Sequence, residues 1–227
     1  MNYLGPLIDR NMKGYDVQAK KYLDYIDEHR KNVETAFRNL FSNPVISLAD
    51  SKLFSIDKNW EKYVDRLEED IKNHDLSKYT DEEFYAYRAK YNQTEEEKAR
   101  YNNDQVYQQM VDEAIKDAWD HHYRNNYHHP MFWKCVEIIR LDEYGVPVEV
   151  NPNYGIVKQD PDDMTLIAIL HMICDWEAMS IKFGGKTTDW YVNKAEDERK
   201  AMSENTRKLT KQILEYLYDV ELPDSVL

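Results

Sequence analysis

The chain has 227 residues, of which 42% are hydrophobic and 32% charged, with a formal net charge of −13 at pH 7. That length and balance fit one globular domain with a substantial core and exclude a disordered chain. The acidic surplus argues against general nucleic-acid binding, which depends on Lys and Arg displacing counterions from phosphates, and fits cations held in a cleft better.

The first residues, Met1-Asn2-Tyr3-Leu4-Gly5-Pro6, lack a basic region followed by an apolar stretch, so a cytoplasmic location is expected. Tyr22, Ile26, Val33, Phe37 and Leu40 recur at helical spacing and predict a helix over about 16–40, with His29 on its apolar face. Asn43-Pro44 ends it, because proline lacks an amide hydrogen and restricts its predecessor. Residues 44–58 read as a loop, with Asp57 or Asn59 placed to cap the next helix. That helix carries Trp60, Val64, Leu67 and Ile71, and the next step of the same stripe falls on His74, followed at once by Asp75.

Thr80-Asp81-Glu82-Glu83 has the spacing of a capping box. It opens a tyrosine-rich, charged segment to about Asn103, expected as a peripheral helical excursion or lid. A long helix follows from Asp104 to about Tyr123, with Val111, Ala114, Ile115 and Ala118 inward, and its inner face runs on to His121 or His122. The turn Arg124-Asn125-Asn126-Tyr127-His128-His129-Pro130 adds two more histidines.

An amphipathic segment, 131–141, leads into a stretch broken by Gly145, Pro147, Pro152, Gly155 and Pro161, where 146–150 and 155–158 are expected to pair as a small hairpin. Asp160-Pro161-Asp162-Asp163 predicts a helix start, with an N-terminal proline and negative charge at the positive end of the dipole. The run from Met164 through Cys174 is apolar nearly all round and marks a central buried helix with Asp175 at its end. A carboxylate there requires a cation, a metal or several donors. After Gly184-Gly185 a last helix is predicted over about 193–220, packing through Met202, Leu209, Ile213 and Leu217. Cys135 and Cys174 stand far apart, outside any CxxC spacing, and predict reduced thiols. No apolar run reaches the ~20 residues of a membrane span. The expected architecture is all-α: a single helical domain, 1–227, with a core of about 16–182, a loop-rich insertion with a small hairpin, and a C-terminal packing helix.

Collected in chain order, the metal-capable residues are His29, His74-Asp75, His121 or His122, His128 or His129, and Asp175. Imidazole and carboxylate suit borderline and hard divalent metals, and thiolates play no part in the pattern. Adjacent helical residues point about 100° apart, so one of each histidine pair faces a common site, and His122 and His129 are taken as the inward ones. No histidine follows a glutamate by three residues and no His-Glu-x-x-His occurs, which removes ferritin-like diiron and zincin readings.

This series resembles the HD-domain phosphohydrolase superfamily, whose signature is a histidine, a His-Asp pair and a later aspartate on different helices of a bundle. The resemblance is carried by His29, by His74-Asp75 with Lys78 as HD-x-x-K, and by Asp175, over about residues 20–182. Ser77 stands where glycine is common in the superfamily. The string from His121 to Pro130 also resembles an uncharacterised phage and bacterial family.

The resemblance implies an HD-like helical bundle with one or two divalent ions (Mn, Fe, Ni, Zn, Co or Mg) held by His29, His74, Asp75 and Asp175, with His122 and His129 completing a second site. It implies metal-dependent hydrolysis of a nucleotide or other small phosphate ester or anhydride, with Asp75 and Lys78 in catalysis. His171, His121 and His128 would then orient ligands, and Arg124, Lys182 and Lys186 would contact phosphate. The alternative is an HD-like metal- or nucleotide-binding module without catalysis, such as a phage-encoded regulatory protein. Self-association is left open.

Overall fold

A computed structural model of the protein describes residues 10–41, 61–151 and 157–227. The predicted stop at Asn43-Pro44, the caps at Asp57 or Asn59, Trp60 and the start of the 155–158 strand lie outside these residues. Among the described residues the chain is all-α apart from one two-stranded sheet. No helix among them is long and apolar enough to cross a membrane. The chain divides into two compact units, the residues through Glu28 with Asp75–Asn126, and His29–His74 with Tyr127–Leu227. The first helix, α1 (Tyr15–Phe41), contributes its first half to one unit and its second half to the other.

In the first unit, α3 (Asp81–Tyr91), α4 (Glu95–Asn103) and α5 (Gln105–Asn125) follow a short 3-10 turn, Leu76–Tyr79. The apolar face of α5 expected from its spacing is buried, and Val111, Ala114 and Ala118 pack with Tyr22, Ile26, Ala86, Tyr87 and Ala89. Asp104 caps α5, its side chain accepting from the amides of Val106 and Tyr107.

The tyrosine-rich segment is helical as expected, but instead of a peripheral lid it forms two helices that belong to this core, with Ala86, Tyr87 and Ala89 buried in it. They are tied by Arg88, whose guanidinium donates from Nη1 and Nη2 to the two carboxylate oxygens of Glu97 at 2.6 Å each, with both side chains buried. Arg88 also lies 4.5 Å from the centre of the Tyr15 ring. The capping box falls at Thr94 and Glu97, where both reciprocal bonds form. Thr80 precedes α3 as expected but makes no side-chain cap bond, and Glu83 turns inward instead.

The second unit adds α2 (Glu61–Lys72), α6 (Pro130–Cys135), strands β1 (Glu137–Leu141) and β2 (Pro147–Asn151), and α7 (Leu166–Phe183). It ends with α8 (Thr187–Asn193), α9 (Glu196–Ala201) and α10 (Glu204–Tyr218). Its core joins Val33, Phe37, Leu67, Ile71, Trp133, Ile213 and Leu214 to the apolar surface of α7.

The structure corrects five expectations. The amphipathic 131–141 segment splits into α6 and β1, and β2 pairs antiparallel with β1, while the described residues of the expected partner, 157–158, carry no strand. The turn between them closes on Asp142, whose side chain accepts from the amides of Tyr144 and Val146, with Gly145 at φ 86°. The β-branched Ile138 and Ile139 fit a strand better than a helix.

The central helix begins at Leu166, not at Asp160-Pro161, because the acidic residues are used elsewhere. Asp162 pairs with Lys158, and Asp163 accepts from Ser203 and Asn205. The same helix runs past Asp175 to Phe183, so that carboxylate is mid-helix rather than terminal. Finally, the predicted helix over 193–220 is two helices; Asn193 is the last residue of α8, and Ser203 stops the chain after α9 by capping α10.

Candidate metal centre

In the second unit the apolar stripe of α2 ends at Lys72, and a turn carries the backbone to His74. A helix end leaves carbonyls without intrahelical donors. Arg30 satisfies two acceptors there, donating from Nε to the His74 carbonyl at 2.9 Å and from Nη2 to the Lys72 carbonyl at 2.6 Å. The residue before it, His29, is thereby fixed over the same turn.

His29, His74, His128 and His171 are all buried. His29 Nε2 lies 3.0 Å from His74 Nε2 and 3.1 Å from Asp175 Oδ1, and His74 Nε2 lies 3.9 Å from that oxygen. Two ligands on one ion with bonds of about 2.1 Å are separated by about 3.0 Å in octahedral and about 3.4 Å in tetrahedral geometry. The three atoms thus have the spacing of donors converging on one divalent ion.

Behind this triangle, His74 Nδ1 is 3.0 Å from His171 Nε2. A neutral imidazole carries one ring proton, so a His74 that offers Nε2 to a metal donates Nδ1–H to His171, which sets its tautomer and orientation. The second oxygen of Asp175 faces His128, with Oδ2 4.0 Å from Nε2. His128, His129 and Asp175 present ligand atoms within 4.8 Å of one another, as do His74, His128 and His171. Both members of the 128–129 pair therefore face Asp175, where the sequence reading selected His129 alone.

Glu198, on α9, was not anticipated. Burial, with Asp175 and Asp197 adding, pushes its carboxyl up to about 7, and Oε2 is buried without a hydrogen-bond partner. Cys174, next to Asp175, is fully buried, and desolvation holds its thiol well above the usual range. Tyr127 donates to Asp70, which also takes Arg66. That bond anchors the turn from which His128 projects.

The first unit has its own cluster. Asp75 adopts the left-handed region at φ 54°, where Asp is among the more tolerant non-glycine residues. The helix does not continue through it, so His74 and Lys78, four residues apart, do not share a helical face. Instead Lys78 comes round on the 3-10 turn and its Nζ pairs with Asp75 Oδ2 at 2.6 Å. Asp75 Oδ1 lies 3.6 Å from His122 Nε2.

On the far side of that ring, His122 Nδ1 is 2.9 Å from Glu83 Oε2, and His121 Nδ1 is 2.8 Å from Glu83 Oε1. Burial raises the Glu83 carboxyl, but the bonds from His121 and His122, with one from Ser77, outweigh it and leave it below its ordinary value. His121 is raised in turn, chiefly by its bond to Glu83.

The residues proposed to meet phosphate are placed differently. Arg124 is buried and donates Nε–H to Asp120 Oδ2 at 2.8 Å within its own helix. Lys182 lies in the last turn of α7, its ammonium 5.9 Å from the centre of the Phe183 ring, and Lys186 precedes α8.

Fold and site together define an all-helical protein with buried histidine and carboxylate groups able to hold a metal ion. The chain belongs to DUF5662, a family of unknown function whose profile matches residues 18–219. Neither the curated proteins nor the solved structures contain a match to it.

Proposed function

We propose that the protein is a metal-dependent phosphohydrolase acting on a nucleotide or another small phosphate ester or anhydride. The observation that carries this reading is the triangle of His29 Nε2, His74 Nε2 and Asp175 Oδ1, with edges of 3.0, 3.1 and 3.9 Å. A divalent ion bound there supplies a water of lowered pKa and polarises a phosphoryl oxygen. His29, His74 and Asp175 hold the ion, and His171 keeps His74 in the metal-binding tautomer. The HD-type sequence signature assigns metal binding to Asp75 and charge neutralisation at a phosphoryl group to Lys78, both residues of the first unit. Mn, Fe, Co, Ni, Zn or Mg is compatible with an all-nitrogen-and-oxygen donor set. No step requires a membrane or a nucleic acid, and the cytoplasm suits such a substrate.

A panel of nucleotides and phosphoesters offered with Mn2+, Co2+, Zn2+ and Mg2+ tests the reading. Turnover is expected with at least one pair. Asp175→Asn removes a ligand charge and should lower it by about 100-fold or more, since even outer partners of metal ligands account for about 10–100-fold. Absence of turnover across the panel would contradict the proposal.

One observation favours a second reading. Two of the cations offered by the sequence for phosphate, Lys78 and Arg124, are engaged by Asp75 and Asp120. A metal- or nucleotide-binding module without catalysis fits that, and it is distinguished by tight nucleotide binding without hydrolysis.

A further inference from the structure

We infer that Glu83 is a positioning residue that fixes His122 with its Nε2 as an acceptor facing Asp75, making His122 a ready ligand for a divalent cation. The inference deepens the metal-dependent reading and rests on it for the identity of the cation. All the residues involved belong to the first unit.

Glu83 is fully buried, and its two oxygens are each committed to a ring nitrogen, Oε1 to His121 Nδ1 at 2.8 Å and Oε2 to His122 Nδ1 at 2.9 Å. A carboxylate accepts and does not donate, so both shared protons sit on the imidazoles at Nδ1. In a neutral His122 the lone pair is then on Nε2. That nitrogen is 3.6 Å from Asp75 Oδ1, too far for a hydrogen bond but close to the separation of two donors on one ion.

The surroundings hold the arrangement from both ends. Asn126 donates from Nδ2 to Ser77 Oγ at 2.9 Å and to the His122 carbonyl at 2.8 Å. The Ser77 hydroxyl bonds Glu83. Lys78 occupies Asp75 Oδ2 at 2.6 Å, which turns Oδ1 toward His122. Ser77, the departure from the superfamily's usual glycine, thus belongs to the network that orients the ligand. A carboxylate behind a ligating histidine is a recurrent device for fixing tautomer and raising basicity.

The test pairs two readouts. Long-range proton–nitrogen correlation spectra of the metal-free protein report the His122 tautomer, and calorimetry reports Co2+ affinity for the wild type, Glu83→Gln and His122→Ala. Wild-type His122 should be the Nδ1–H tautomer. Glu83→Gln, which offers one acceptor and one donor to two imidazoles, should disturb that tautomer and weaken Co2+ binding by about 10–100-fold. An Nε2–H tautomer in the wild type overturns the inference without any variant having to fold. Unchanged Co2+ affinity in a folded Glu83→Gln overturns it as well. A wild type that takes up no Co2+ yet keeps the Nδ1–H tautomer contradicts the metal-dependent function while supporting the hold of Glu83 on the ring.

Discussion

Replacing His74 by alanine is expected to abolish stoichiometric metal at the His29, His74 and Asp175 centre. In structural zinc sites roughly 10–16 kcal/mol is spread over four ligands, so each carries about 3 kcal/mol and its loss weakens binding by roughly 100-fold. His74 has a further role because it links two partners, His29 through Nε2 and His171 through Nδ1, both at 3.0 Å. The readout is metal content by elemental analysis, with the rise in Tm on adding Mn2+ or Zn2+ as a second measure, since a ligand that binds only the native state stabilises it. Wild type should gain Tm with metal and His74→Ala should not. His121→Ala, which alters a histidine bound to Glu83 in the other unit, should retain the gain from this centre. Equal metal content in wild type and His74→Ala would contradict the assignment.

The second large effect is on stability. Glu97→Ala leaves the Arg88 guanidinium buried without its carboxylate, and breaking a buried pair by removing one partner costs about 3–5 kcal/mol. It also removes the reciprocal bond to the Thr94 amide. For a chain of this size about 1 kcal/mol corresponds to about 2–4 °C, so a fall in Tm of roughly 6–20 °C is expected by calorimetry.

The same pair gives a pH dependence. Burial raises the Glu97 carboxyl, but the bonds from Arg88 and Thr94 leave it net below its ordinary value. Its contribution is therefore present above the unfolded carboxylate pKa and is lost as pH falls through the lower folded one. The difference in stability between wild type and Glu97→Ala should narrow on acidification from neutral pH. A Glu97→Ala protein as stable as wild type at neutral pH would show that the pair does not hold α3 and α4 together.

The helices were legible wherever an apolar stripe alone determined them. The faces Val33, Phe37 on α1, Leu67, Ile71 on α2 and Val111, Ala114, Ala118 on α5 are buried as their spacing requires. The step from Ile71 to His74 placed that histidine beside the core, although the helix stops two residues earlier than the pattern suggests. Capping was less readable, because Thr80-x-x-Glu83 and Thr94-x-x-Glu97 carry the same local signature. Only the second is used, since two histidines four helical turns along α5 compete for Glu83, and that competition is tertiary.

The strand pairing was missed for a related reason. Residues 136–141 have both helical spacing and β-branched content, and the partner that decides between them is β2. Glu198 carried no local signal either, since its environment is made by Asp175 from another helix. Glu83 did carry one: it shares a helical face with Ala86 and Tyr87, which are buried as it is, and a carboxylate on such a face requires donors.

X-ray absorption at the metal edge of the Co2+- or Zn2+-loaded protein tests the central claim most directly. A nitrogen and oxygen shell at about 2.0–2.2 Å with imidazole scattering is expected. That scattering should diminish in His29→Ala, which lacks the nitrogen 3.0 Å from His74 and 3.1 Å from Asp175. A sulfur shell from Cys135 or Cys174, or a protein that retains no stoichiometric metal, would contradict it.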